Sequence, residues 1–173
     1  MAIAYLGLGS NVDAERHIRI AIQALQDEFG ELALSPVYRS EAVGFAGDDF
    51  LNLAARIETG LSPLALRDFL RRLEQAYGRD RNTPKWSDRT LDIDILLYDE
   101  LVIYDEELEI PRREILKFAH VLKPLADLAP DLVHPAERRT IADIWASSDC
   151  RTARLERVGN LGPDLGSADL GSE

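Results

Sequence analysis

The stretch Leu91-Asp92-Ile93-Asp94-Ile95-Leu96-Leu97 alternates apolar and charged residues with a period of two. That period belongs to a β-strand, so Leu91, Ile93, Ile95 and Leu97 share one face and Asp92 and Asp94 the other. The apolar face marks a core, and the strand fixes the frame for everything around it. Outward on the C-terminal side, residues 101–104 and 107–110 read as two short strands. Pro111 then opens a helical turn, and residues 120–129 and 140–147 read as short helices. Outward on the N-terminal side, residues 79–90 (RDRNTPKWSDRT) carry charge without periodicity and read as a long exposed loop. Before it, Ser62-Pro63 starts a helix to about Ala76 with Leu66, Phe69, Leu70 and Leu73 inward, closed by Gly78. Segments 32–38 and 50–58 read as strands joined by the loop SEAVGFAGDD, long enough to suggest a functional loop. Residues 13–29 form a helix whose inward face is Ile18, Ala21, Ile22, Leu25 and Phe29, with Asp13 as its cap and Gly30 as its stop. Residues 2–8 are a buried strand.

The resulting order, β-α-β-β-α-β, is the split βαβ arrangement of ferredoxin-like α+β folds: a mostly antiparallel sheet with helices on one face. The chain has 173 residues, a one-domain length, and its 46% hydrophobic content excludes wholesale disorder. Residues 1–150 make that domain, and 151–173, ending in GNLGPDLGSADLGSE, read as a flexible tail. Asp and Glu outnumber Lys and Arg by 31 to 20, a net charge of −11, which disfavours a general nucleic-acid or membrane binder. The single cysteine, Cys150, excludes a disulfide framework and a Cys-rich zinc site. The opening residues lack the basic start of a signal peptide, and no apolar stretch approaches a membrane span. A cytoplasmic protein is expected.

Two carboxylates at i and i+2 on a strand stand roughly 7 Å apart, an arrangement favoured only with a cation between them. Hard oxygen donors suit Mg²⁺, which is commonly held by one or two carboxylates plus substrate phosphates. The same D-x-D is equally the solvated face of an edge strand. Just upstream, Arg79, Arg81, Lys85 and Arg89 crowd around Trp86, offering phosphate ligands beside a flat surface for a heterocycle, with Asp80 and Asp88 partly offsetting them. Gly7-Leu8-Gly9 fails as a dinucleotide fingerprint because Val12 stands at the third glycine position, and no P-loop motif occurs. Asn52, an amide between Leu51 and Leu53, demands a specific partner. Of the histidines, His17 reads as solvated, His134 as a loop residue, and His120 as a core residue.

Together these residues resemble the 6-hydroxymethyl-7,8-dihydropterin pyrophosphokinase family. The likeness is carried by Trp86-x-x-Arg89-Thr90-Leu91-Asp92-Ile93-Asp94-Ile95, by Ala4 through Asn11, Val37 through Ser40, Phe50-Leu51-Asn52, Glu74 through Arg79, and Val121 through Pro130. It spans about residues 2 to 135. The resemblance implies transfer of pyrophosphate from MgATP to a pterin hydroxymethyl group, releasing AMP in folate biosynthesis, by a monomer or homodimer. It implies two Mg²⁺ ions held by Asp92 and Asp94, with Arg79 and Arg89 joining them as catalytic residues. It places ATP against Arg71, Glu74, Arg81, Lys85, Trp86, Arg89, Ile95, Arg112 and Lys117. It places the reduced pterin against Ser40, Val43, Phe50, Asn52, Trp86 and His120.

The chain departs from the family pattern in two places. Arg112 follows Pro111 where the family commonly has His, and Phe118 and His120 stand where it usually has Arg and a pterin-stacking Phe. Lys117 is then the candidate to restore the charge and His120 to stack; otherwise a slower enzyme or a paralogue for a related pterin is implied. A metal-dependent phosphohydrolase, releasing phosphate without a pterin, and a non-catalytic ligand binder are the competing classes.

Overall fold

The computed structural model describes residues 1–42, 46–77 and 90–161. In chain order the elements are β1 (Ala2–Ser10), α1 (Ala14–Phe29), β2 (Ala33–Leu34), β3 (Pro36–Ser40), β4 (Phe50–Thr59), α2 (Pro63–Ala76) and β5 (Asp92–Tyr98). They continue with β6 (Ile103–Tyr104), β7 (Glu109–Ile110), a 3-10 turn (Arg113–Leu116), α3 (Ala119–Leu128), β8 (Val133–His134), β9 (Arg139–Thr140), α4 (Ile141–Ser147), a second 3-10 turn (Asp149–Thr152) and β10 (Glu156–Asn160).

The main sheet runs β10-β3-β4-β1-β5, with β2 also paired to β4. Every pairing is antiparallel. Since β4 and β5 both run antiparallel to the β1 between them, β4-α2-β5 is the split βαβ unit expected from the element order. The helix ends show the local chemistry at work. Ser62 accepts the Ala65 N–H at 3.2 Å with Pro63 in the first turn, while Gly30, at φ 80°, ends α1. Asp13 differs from expectation: it adopts φ 45°, and its carbonyl, not its side chain, receives the His17 N–H.

One sheet face carries the larger core, where Leu6, Leu8, Leu53, Ile57, Ile93 and Ile95 meet Ile18, Ile22 and Leu25 of α1 and Leu66 and Leu70 of α2. The helices are not confined to that face. On the other, Ala54, Leu96 and Leu97 pack with Leu122 and Leu125 of α3 and Ile141 and Ile144 of α4. A bulge explains the position of Leu97. The β1–β5 register shifts between Tyr5 and Leu6, so Leu97 turns into the second core instead of following Ile93 and Ile95. Since α3 and α4 cover only part of this face, its other half stays open at Gly7, Gly9, Asn52, Asp92 and Asp94.

The segment read as a tail from residue 151 contributes a strand. Glu156–Asn160 pairs with β3 from Glu156↔Arg39 to Asn160↔Pro36, and Arg39 reinforces it with an ion pair to Glu156 at 2.5 Å. Without β10, β3 would expose a row of unpaired backbone groups. No helix among the described residues is long and apolar enough to cross a membrane.

Candidate active site

The open half of the sheet is built around two glycines. Gly9 lies opposite Asn52 on β4 and opposite Asp92 on β5, and Gly7 lies opposite Ala54 and Asp94. Cross-strand partners share a face, so these residues form two adjacent rows. A Cβ on Gly9 would stand 2.9 Å from Asn52 Oδ1, and one on Gly7 would stand 3.2 Å from a Leu96 methyl. Glycine is therefore the residue that lets the Asn52 amide lie over β1 and leaves room above it. Asn52 is buried, and its Nδ2 donates to Ser40 Oγ at 2.9 Å, which supplies the partner its position demanded.

Above these rows is a cavity of about 300 Å³. Phe50, Phe118, His120 and Val121 wall it on the Asn52 side. It continues over the edge strand β5 toward α2, where Leu70, Arg71, Glu74, Ile95, Leu108 and Ile110 border it. Phe118 and His120 stack on each other, with ring centroids 5.2 Å apart and planes at 19°. His120 thus faces a ligand space instead of filling the core. Burial lowers its pKa, against the pull of Glu114 and Asp92, so the imidazole is neutral at pH 7.

Asp92 and Asp94 stand together on the cavity face, as their alternation required. Burial, followed by repulsion from Asp92, pushes the Asp94 carboxyl well above the usual range, and Arg112 opposes the shift. Arg112 Nε lies 3.6 Å from Asp94 Oδ2 and 3.2 Å from Glu114 Oε1. Burial disfavours its charge, yet Asp94 and Glu114 hold its pKa above the ordinary arginine value. The Arg112 position is set by β5 itself, because its backbone N–H donates to the Leu96 carbonyl at 2.9 Å. No group of three or more His, Cys, Asp or Glu among the described residues is arranged to hold a metal. Two hard carboxylates with like charge fit an ion such as Mg²⁺ that takes its remaining oxygens from substrate and water.

The other expected site residues divide. Glu74 is buried at 1% exposure, and its Oε2 accepts the Ile93 N–H at 2.7 Å, bracing α2 against the outer edge of β5. Arg71 is exposed on α2 at the cavity rim, and Ile95 belongs to the larger core while touching the cavity. Lys117 is exposed and borders a separate shallow depression with Glu137, Arg139 and Cys150, so it does not restore a charge in the main cavity. Val43, Arg79, Arg81, Lys85, Trp86 and Arg89 lie outside the described residues.

His17, expected in solvent, is buried. Its Nδ1 lies 2.7 Å from the Val12 carbonyl, and its ring meets Tyr77 edge-on. His134 is also buried, and its Nδ1 accepts the Ala136 and Glu137 N–H groups at 3.2 and 3.0 Å, closing a turn. Sequence reasoning missed Gly7, Gly9 and Glu114. Glycines at alternate positions inside a strand are a legible sign of close approach. Glu114 stands two residues from Arg112, but no periodicity in that segment shows that their side chains meet.

A family model described as 7,8-dihydro-6-hydroxymethylpterin-pyrophosphokinase matches residues 5–130, a span from β1 through α3. The chain belongs to this pterin pyrophosphokinase family. It is 42% identical over 161 residues to a 2-amino-4-hydroxy-6-hydroxymethyldihydropteridine pyrophosphokinase of Pseudomonas aeruginosa, covering 89% of this chain and 95% of that one. It is 37% identical over 145 residues to the enzyme of the same name from Aquifex aeolicus, covering 83% and 90%. It also matches the folic acid synthesis protein fol1 of Schizosaccharomyces pombe at 39% over 137 residues, which is 77% of this chain and 19% of that protein. Among solved structures, wild-type Plasmodium falciparum HPPK-DHPS with pteroate superposes with a TM-score of 0.69. That likeness covers 84% of this chain and 42% of the longer one at 15% identity, so it speaks for the fold alone. Within the pterin pyrophosphokinase family, the matched region contains Asn52, Asp92, Asp94 and the Phe118–His120 pair. The strand β10 lies beyond it.

Proposed function

We propose that the chain transfers pyrophosphate from ATP to the hydroxymethyl group of 6-hydroxymethyl-7,8-dihydropterin, releasing AMP, with Asp92 and Asp94 holding two Mg²⁺ ions. Membership of the family makes it a transferase of folate biosynthesis. The observation that carries the reading is the row Asn52–Gly9–Asp92. It sets a buried amide and a carboxylate roughly 10 Å apart, two strand spacings, across one cavity. That separation suits a fused heterocycle at one end and the phosphates it attacks at the other.

Each side chain then has a task. Asn52 and Ser40 present polar atoms to the edge of the pterin, and neutral His120 with Phe118 and Phe50 supplies flat apolar walls. Bound Mg²⁺ neutralises charge on the phosphate oxygens and so lowers the barrier to their transfer. Arg112 adds fixed positive charge beside Asp94. Arg71 and Ile95 border the nucleotide, with Glu74 holding the strand between them. Arg79, Arg81, Lys85, Arg89 and Trp86 complete the phosphate and pterin contacts, and Val43 adds a backbone contact to the pterin. Such transfers depend mostly on positioning and charge neutralisation, which this set of residues can supply. With ATP as donor and one cysteine in the chain, the reading places the reaction in the cytoplasm, by a monomer or homodimer.

Nucleotide-product analysis with MgATP and a panel of reduced pterins tests the reaction. AMP should accumulate only with the hydroxymethyl pterin; ADP, or phosphate released without pterin, would contradict it. Asp92→Asn should lower AMP formation at least about a thousandfold, and a variant retaining full rate removes the metal role.

A further inference from the structure

One guanidinium meets two carboxylates among the residues that line the cavity. Arg112 Nε donates to Glu114 Oε1 at 3.2 Å and approaches Asp94 Oδ2 at 3.6 Å. The three side chains are buried to a similar degree, with 32%, 25% and 27% exposure for Arg112, Glu114 and Asp94. Both ends of the arrangement are anchored through the backbone. Arg112 N–H is tied to Leu96 of β5, and the Glu114 carbonyl accepts the N–H groups of Lys117 and Phe118, each at 3.1 Å. The better contact is the one to Glu114, because a hydrogen bond adds to the charge attraction there. A divalent ion arriving at Asp94 meets a fixed positive charge at close range. Arg112 can give up Asp94 without losing its bond to Glu114.

We propose that Arg112 is the internal counter-ion of the Asp92–Asp94 pair, and that Glu114 is a positioning residue that keeps its guanidinium in the site when a divalent cation claims Asp94. The consequence is selective loading. A bare metal ion has to displace Arg112 and binds weakly, whereas a metal arriving with a nucleotide brings phosphate oxygens that face both the metal and Arg112. Glu114 thereby serves the reaction through Arg112, without touching substrate. The inference rests on the reading of Asp92 and Asp94 as metal ligands and deepens it.

The test is Mn²⁺ titration of the nucleotide-free protein, followed by the electron paramagnetic resonance signal of the free ion, beside steady-state AMP formation. Thermal melts establish that each variant is folded, and Glu114→Gln preserves shape. Arg112→Gln should bind Mn²⁺ about tenfold more tightly than the wild type yet turn over more slowly, and Arg112→Lys should return Mn²⁺ affinity toward the wild-type value. Glu114→Gln should bind Mn²⁺ about threefold more weakly, since Arg112 is then left to Asp94 alone, and should lower kcat more than it raises the KM for pterin. Unchanged or weaker Mn²⁺ binding by Arg112→Gln overturns the proposal, as does unchanged binding and turnover by Glu114→Gln. If Asp94→Asn binds Mn²⁺ as the wild type does, the metal reading itself falls, and the counter-ion role falls with it.

Discussion

Replacing Gly9 with alanine isolates the geometry that places Asn52. The added Cβ would lie 2.9 Å from Asn52 Oδ1, while the Leu51 carbonyl and a Phe50 ring carbon remain at 3.8 and 3.9 Å. Carbon and oxygen settle at about 3.3–3.6 Å, so the amide has to shift or rotate by roughly half an ångström. That movement misaligns the Asn52 bond to Ser40, now 2.9 Å, in a buried setting. A lost neutral hydrogen bond costs about 1 kcal/mol, and overpacking adds about 1 kcal/mol or more. Alanine returns about 0.4–1 kcal/mol by restricting the unfolded chain. The net expectation is a fold less stable by about 1 kcal/mol and a pterin KM raised about tenfold, with the ATP KM changed less than about twofold.

Two other glycines calibrate the effect. Gly7→Ala meets only the Leu96 side chain, its two methyls at 3.2 and 3.4 Å and its Cγ at 3.5 Å, and should give a smaller loss. Gly60→Ala meets nothing closer than the Met1 sulfur at 3.6 Å and should be neutral or stabilising. The assay is AMP formation with each substrate varied in turn, together with denaturant melts of all three variants. A Gly9→Ala protein with a lowered melt but an unchanged pterin KM would refute the role given to the Asn52 amide. A parallel rise in both KM values would show that the methyl merely fills the cavity.

Three further outcomes follow from the charges and the sheet. Asp94→Asn should abolish turnover yet stabilise the metal-free protein at pH 7 by about 1 kcal/mol or more, because burial and then Asp92 oppose ionisation of the carboxyl it replaces. Because the folded pKa of Asp94 is raised, wild-type stability is fullest below the ordinary carboxylate range and falls as pH rises through the folded value, so the advantage of the variant in urea melts should vanish near pH 3. His120→Phe should keep a stacking surface and remove one source of acid sensitivity: with a folded pKa below its unfolded value, His120 costs stability as pH falls through about 6.5 and below, and melts from pH 7 to 5 should flatten in the variant. Deleting residues 152–173 strips β10 from β3 and should lower the melting temperature by several degrees, about 1–2 kcal/mol, with a larger rise in pterin KM than in ATP KM because β3 carries Ser40.

What the sequence disclosed was local. Alternation within one strand suffices to place Asp92 and Asp94 against Ile93 and Ile95, because each side chain's direction depends only on its neighbours. Leu97 escaped that rule because the bulge lies opposite Tyr5 and Leu6, on a strand some ninety residues away. The inward faces of α1 and α2 were legible from spacing, but spacing cannot say which side of a sheet a helix covers, so the packing of α3 and α4 on the opposite face was not legible. The segment Glu156–Asn160 is exposed along its length and has no apolar pattern; it is a strand because β3 offers it an edge. His17 and Glu74 likewise owe their burial to partners outside their own helices. Asn52 was found because a polar residue in an apolar strand breaks the local rule. Gly7 and Gly9 break it too: they fail as a loop fingerprint for dinucleotides, and within the strand Gly9 makes room for Asn52.

The net charge of −11 bears on the site differently once the cavity wall is known. Among its described lining residues, seven carboxylates stand against three arginines, and two of those are already committed, Arg112 to Asp94 and Glu114 and Arg67 to Asp68 and Glu107. On the proposed function, such a wall would repel a bare triphosphate, and the polyanion would have to arrive with cations that outweigh it. Divalent ions are the economical source, since each brings two charges to carboxylates already crowded enough to push the Asp94 pKa upward. The four cations between residues 79 and 89 are the other source the chain itself offers. On that same proposal an acidic cavity wall and a basic stretch of chain just before β5 would serve one purpose: the wall would favour metal over bare phosphate, and the basic stretch would favour phosphate once metal had reversed the sign.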